Sequence, residues 1–198
     1  MPELLIATNN AGKLREYRGI IDGLPLTLLS LADVGIAVDV PETGSTFAEN
    51  AAIKAREYAR LANIPTLADD SGLSIDHLGG RPGVHSARYA GEDATDRDRI
   101  GKVLSEMNSA ENRSARFVCV AALADDTGAI VAAVNGTCEG TLTTEPRGLS
   151  GFGYDPIFLP AGFDKTFAEL DPDTKNRISH RENAALKIIP FLQGFFDI

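Results

Sequence analysis

The side chains best suited to chemistry are two adjacent carboxylates, Asp69 and Asp70, placed after the apolar run Pro65 to Ala68. Neighbouring side chains on a strand face opposite ways, so such a pair can divide its labour. One carboxylate can ligate a hard cation such as Mg²⁺ while the other orients a ligand or water. Strand ends are also where α/β folds place chemistry. The plainer alternative is a solvated Asp-Asp-Ser-Gly turn with an Asx cap. Glu42, in the loop Pro41-Glu42-Thr43-Gly44, is the candidate second carboxylate. Mg²⁺ typically takes one or two protein carboxylates and fills its remaining positions with water and substrate phosphate oxygens.

Three cationic features match an anionic ligand. The segment Leu4 to Lys13 reads as a buried strand, a polar loop (Thr8, Asn9, Asn10) and a helix start (Ala11, Gly12, Lys13). Unpaired N–H groups and the dipole favour an anion at such a helix N-terminus. It is not a Walker loop, because Leu14 follows Lys13 and threonine stands where the first glycine belongs. Lys54 lies ~20° from Phe47 on a helical wheel, inside the apolar arc Phe47, Ala51, Ala55, Tyr58 and Ala62. It either snorkels along the core edge to water or delivers an ammonium to an anion in a cleft. Near the C-terminus, His180 and Arg181 follow a Ser179 cap, where positive charge opposes the helix dipole at a cost of up to about 1 kcal/mol. A bound anion would relieve that conflict, and Lys175 adds a third cation nearby.

Other eye-catching residues look structural. Asp125-Asp126 is most simply a hairpin turn, and His77 and His85 lack partners at metal-ligand spacing. No Gly-x-Ser-x-Gly elbow or Cys/His nucleophile arrangement is present. Ser86-Ala87-Arg88-Tyr89 is loop-like and has no evident role.

These residues need elements to hold them. After the first strand, Leu14, Tyr17, Ile20 and Ile21 mark one face of a helix, and Leu26 to Leu29 reads as a short strand. The capping box Thr46-Phe47-Ala48-Glu49 opens a helix running to about Ala62. Pro65 to Ala68 is expected to end at Asp69-Asp70-Ser71-Gly72, with a second strand at Leu73 to Ile75. A helix from Thr95 carries Ile100, Val103, Leu104 and Met107; the strands Arg116 to Ala124 and Ala129 to Val134 flank a turn. Phe152-Gly153-Tyr154-Asp155-Pro156 sits in a glycine-rich loop, and two short helices close the chain, the last at the box Ser179 to Glu182. Interleaved strands and helices indicate an α/β fold with a mixed sheet.

Composition bounds the class. At 198 residues, 43% hydrophobic, the chain suits one α/β domain or two packed lobes sharing a core. There is no apolar run of membrane-spanning length and no signal peptide. A net charge of −9 argues against general nucleic-acid binding. A polyanionic ligand would therefore need cations gathered at its site, or a recruited divalent ion. Cys119 and Cys138, in apolar surroundings, read as reduced and buried, which points to the cytoplasm.

Taken in order, the segments Ala7 to Lys13, Glu42 to Gly44 with Phe47 to Ala51, Lys54-Ala55, Ala68 to Leu73, Ser86 to Tyr89 with Gly91 to Thr95, Gly151 to Pro156, Lys175 and Ser179 to Arg181 resemble the inosine triphosphate pyrophosphatase family. The likeness runs along nearly the whole chain and is strongest to the bacterial branch. It implies a single two-lobed domain over residues 1–198, built on a strongly twisted mixed sheet flanked by helices, with the active-site cleft between lobes. It implies a Mg²⁺-dependent hydrolase, a homodimer with no nucleic-acid or membrane partner. Such an enzyme converts ITP, dITP and XTP to the monophosphate and pyrophosphate and so cleanses the nucleotide pool. Carried over, Thr8, Asn10 and Lys13 resemble phosphate contacts, with Asn9, Ala11 and Gly12 completing their loop and Lys54 assisting. Glu42 and Asp70 resemble the metal carboxylates, and Asp70 the general base. Phe152 would stack on the purine, while Ser71, Gly153, Tyr154, Asp155, Lys175, His180 and Arg181 would shape the nucleotide pocket. Donors aimed at the purine 6-oxygen, from Arg181, His180 or backbone N–H groups near Phe152, would discriminate against adenine by a factor on the order of 10⁴. A non-catalytic nucleotide-binding regulator and a phosphotransferase remain as alternatives.

Overall fold

In the first strand, β1 (Glu3–Ile6), Leu4, Leu5 and Ile6 are all buried, so both faces of the strand must be covered. The computed structural model describes all 198 residues and shows what covers them. Helix α1 (Ala11–Ile20) carries the chain to β2 (Thr27–Ser30), which pairs parallel to β1. Helix α2 (Phe47–Ala62) leads to β3 (Thr66–Ile75), parallel to β1 on its other side. Parallel neighbours require such crossovers, and the two helices supply them. Then follow α3 (Asp96–Glu106), β4 (Ser114–Ala124), β5 (Ile130–Leu142), β6 (Phe158–Pro160), α4 (Pro172–Ile178) and α5 (His180–Phe196). The sheet order is β2-β1-β3-β4-β5-β6, with β5 and β6 antiparallel, so the sheet is mixed as expected. No helix is long and apolar enough to cross a membrane.

The chain divides into two compact units. The first comprises Met1–Asp70, Cys119–Gly136 and Arg181–Ile198. Its strands alternate between two cores. Leu4, Ile6, Leu67, Cys119, Ala121 and Leu123 pack with Tyr17 and Ile21 near α1 and with Ala184, Ala185, Ile188 and Leu192 of α5. Leu5, Ala7, Ala68, Val120, Ala122 and Ala124 pack on Ala51, Ala55, Tyr58 and Ala59 of α2. The second unit comprises Ser71–Val118 and Thr137–His180. It has one core, in which Leu73, Ile75, Ile100, Val103, Met107, Phe117, Phe158 and Phe167 meet. Both cysteines are buried free thiols, as read from their surroundings.

Three expectations are corrected. Asp69-Asp70-Ser71-Gly72 neither ends a strand nor turns; β3 runs unbroken from Thr66 to Ile75. The low strand propensity of Asp, Ser and Gly is overridden because β3 lies inside the sheet, between β1 and β4. Strand β5 continues eight residues past Val134, to Leu142, and β6 adds to its far part. Helix α5 is 17 residues long rather than short, with Pro190 inside it. The boundaries of α2 match expectation, and both halves of its Thr46/Glu49 capping box are present.

Candidate functional site

The alternation of β3 decides where its carboxylates go. Asp69 shares a face with Leu67, toward α1 and α5; Asp70 shares one with Ala68, toward α2. Both are buried. On the first face, Asp69 Oδ2 takes Lys13 Nζ at 2.9 Å, Arg181 Nη2 at 3.5 Å and the Cys119 thiol at 3.7 Å. Burial alone would raise the Asp69 pKa, but the charges of Lys13, Arg181 and Lys54 outweigh it and hold the carboxyl far below the ordinary range. Its other oxygen, Oδ1, is buried without a hydrogen-bond partner. Arg181, only 1% exposed, also donates to Glu16 and lies 5.9 Å from the centre of the Tyr17 ring.

On the second face, Lys54 Nζ lies 2.6 Å from Glu42 Oε1 and 3.6 Å from Asp70 Oδ1. The lysine is thus turned inward to carboxylates and does not snorkel to water. Burial raises the Asp70 pKa and the nearby Glu42 charge adds to this, against the opposing pull of Lys54. Asn50, fully buried, joins the pieces: its Nδ2 donates to Asp70 Oδ2 at 3.1 Å, and its Oδ1 accepts the Gly44 N–H at 2.8 Å. One amide therefore ties the Glu42 loop to Asp70. A Cβ on Gly44 would come within 2.7 Å of that Asn50 oxygen, so the loop needs glycine there.

No group of three or more His, Cys, Asp or Glu side chains gathers as a metal cage. Glu42 and Asp70, however, are two hard carboxylate donors converging on one ammonium. That set fits an ion completed by water and phosphate oxygens.

The second unit has its own cluster. Lys175 Nζ sits 2.6 Å from Asp155 Oδ2 and 4.6 Å from the centre of the Phe152 ring. Asp155 Oδ2 also accepts the Phe152 N–H at 2.9 Å, and Asp96 Oδ2 accepts the Gly153 N–H at 2.7 Å. His180 stacks on Phe117, with ring centroids 4.7 Å apart, and the Tyr154 hydroxyl donates to the Ser86 carbonyl.

Both clusters are made of the segments whose order along the chain is distinctive, and the Ham1 family model matches residues 4–191. The chain belongs to the Ham1 family. Among the relatives of this Ham1 chain, the dITP/XTP pyrophosphatase of Geobacillus kaustophilus is 51% identical, over 95% of this chain and 93% of its own. That of Bacillus subtilis is 49% identical over 98% of each. The solved HAM1 protein of Coxiella burnetii superposes with a TM-score of 0.89 at 44% identity, covering 98% of this chain and all of the other.

Within this Ham1 chain, several of the sequence-predicted site residues have partners in the protein itself. The N-terminus of α1 does not present all its donors outward. Asn10 Oδ1 caps the Gly12 and Lys13 N–H groups at 2.8 and 3.1 Å, while Thr8 Oγ1 accepts the Asn10 N–H. Asn9 donates to Asp39. Thr8 to Lys13 is a self-capped turn that aims the Lys13 side chain at Asp69. At the start of α5, Arg181 pairs with Glu16 and Asp69, two carboxylates that offset its charge against the helix dipole. Arg181 and the Phe152 and Gly153 N–H groups, expected to face the purine 6-oxygen, are all engaged with carboxylates, and His180 is packed on Phe117. Ser71 lies within β3, beyond Asp70.

Sequence reasoning missed Asn50, Glu16 and Asp96. Asn50 carried a legible signal, as a polar residue at the core-facing position one turn before Lys54 on α2. Glu16 and Asp96 carried none, since a glutamate or aspartate on an early helical turn is ordinary.

Proposed function

We propose that the chain hydrolyses the triphosphates of deaminated purines, ITP, dITP and XTP, to the nucleoside monophosphate and pyrophosphate. The relatives named dITP/XTP pyrophosphatase support the substrate class, at about 50% identity over nearly the full length of both chains. The observation that carries the chemistry is Asp70. Its buried carboxylate, raised by burial and by Glu42, lies beside Lys54 and back to back with the strongly acidic Asp69.

Pyrophosphate release means that water attacks the α-phosphorus and the bridging α–β oxygen leaves with its electron pair. Phosphoryl transfer of this kind needs positioning and charge neutralisation more than covalent help. Asp70, as the general base, takes the proton of the attacking water; a raised pKa brings it closer to the operating range of such a base. Lys13 and Lys54 meet the charge on the phosphate oxygens. Asp69 and Glu16 are acidic anchors, keeping Lys13 and Arg181 extended. Glu42 and Asp70 would hold Mg²⁺, which when bound neutralises phosphate charge and acidifies water. In the second unit, Phe152 is the platform for the purine face, with Asp155, Lys175, Gly153 and Tyr154 shaping its surroundings.

The test is to incubate the protein and Mg²⁺ with ITP, dITP, XTP, ATP and GTP, and to measure pyrophosphate and orthophosphate separately. Pyrophosphate from the first three, in preference to ATP and GTP, is expected. Orthophosphate as sole product, or no turnover of ITP, overturns the reading.

A further inference from the structure

Phe152 stands between Gly151 and Gly153, both in left-handed conformation at φ +79° and +61°. Backbone of this kind has wide freedom, so the groups that hold its flanking amides, together with Lys175 over the ring, set the ring's direction. Two carboxylates do so. Asp155, three residues on, accepts the Phe152 N–H and belongs to the loop itself. Asp96 comes from α3, 57 residues away in sequence, and accepts the Gly153 N–H at 2.7 Å.

The cap of α3 does not need the Asp96 side chain. The capping box of α3 is completed by Thr95 and Asp98, which exchange hydrogen bonds at 2.9 and 3.2 Å. Asp96 follows the cap and its carboxylate points away to the loop. Its second oxygen takes Arg99 Nη1 at 2.6 Å, one helical turn on, which fixes the carboxylate's direction. Arg99, Asp96 and Gly153 thus form a relay from a helix to the residue after the ring.

We propose that Asp96 is a positioning residue for purine binding, holding Gly153 so that the Phe152 ring is presented flat to the base. This rests on the reading of Phe152 as the purine platform. Asp96 touches neither substrate nor reacting atoms; it acts through the loop. Its loss lets the loop swing about its two glycines, weakening base binding while leaving the phosphate chemistry of Asp70 unchanged.

A double-mutant cycle tests this. Asp96→Ala should raise KM for ITP about tenfold, the scale of one base–aromatic stack, with kcat within about twofold. In a Phe152→Ala background, the same substitution should change KM little, because the ring it positions is gone. Asp96→Asn, which keeps an acceptor for Gly153, should recover most of the loss. The chain contains no tryptophan, so Phe152→Trp supplies a single fluorescent reporter at the platform itself. Titrated with inosine monophosphate, that variant should respond at about tenfold lower concentration than the same variant carrying Asp96→Ala. Equal KM penalties in both backgrounds, or unchanged titration curves, overturn the proposal. If Phe152→Ala alone leaves KM unaltered and Phe152→Trp fails to respond, the platform reading itself falls, and this inference with it.

Discussion

At the scale of single residues, the two adjacent aspartates have opposite electrostatics, and each gives a test. Asp70→Asn should still bind nucleotide but turn it over about 10²–10⁴-fold more slowly, the usual share of a general base. Isothermal titration beside a pyrophosphate assay checks both halves, and near-normal rates would remove Asp70 from catalysis. Asp69 is a matter of stability. Its folded pKa lies below the ordinary 3.8, held there against burial by Lys13, Arg181 and Lys54. Its contribution is therefore complete above pH 3.8 and is lost as pH falls toward the depressed folded value. Asp69→Asn leaves the buried Arg181 and the partly exposed Lys13 short of a counter-charge, which near neutrality costs about 3 kcal/mol. Melting curves should show the gap between parent and variant narrowing as pH drops below 3.8, and a gap independent of pH would contradict the assignment.

Helix α2 is where elements matter most, because it carries Asn50 and Lys54 one turn apart, both toward Asp70. Each lowers the Asp70 pKa, against the upward push of burial and Glu42. Asn50→Leu removes one of these restraints and also frees the Glu42 loop. The acid limb of the pH–rate profile should then move to higher pH than in the parent at the same Mg²⁺ concentration. Turnover should fall by roughly 10²-fold, as expected when reacting groups drift by about 1 Å. A fall in rate with an unmoved acid limb would separate Asn50 from Asp70. The same helix depends on its N-terminal cap, where Thr46 and Glu49 satisfy each other's backbone donors. Thr46→Ala should cost about 1 kcal/mol, or 2–4 °C in Tm for a chain of this size, measured by calorimetry.

For the whole molecule, the question is how a chain of net charge −9 accepts a triphosphate. Its inward cations do not offer bare positive charge. Lys13 is held by Asp69, Lys54 by Glu42 and Asp70, Lys175 by Asp155, and Arg181 by Glu16 and Asp69. Such pairs extend and orient the cations while leaving little field to attract a polyanion. A divalent ion arriving with the nucleotide would supply the missing charge. Chelation with EDTA should therefore abolish turnover. It should leave the melting temperature of the nucleotide-free protein unchanged, because the three cores are packed from apolar side chains. A large drop in Tm on chelation would instead mark a structural ion.

Much of this protein is legible in the amino-acid order because the signals are local. The Thr46 capping box, the two-residue alternation that parts Asp69 from Asp70, and the place of Lys54 inside an apolar arc each follow from spacing within a few residues. The tertiary structure decided what depends on partners distant in sequence. Arg181 meets Glu16 across 165 residues, Cys119 meets Asp69 across 50 and Gly153 meets Asp96 across 57. It also carried β3 through Asp-Asp-Ser-Gly, since neighbouring strands and buried counter-charges outweigh the turn preference of those residues. A residue's propensity and periodicity are written in its neighbours along the chain, whereas the partner of a buried charge is set only when the chain has closed around it.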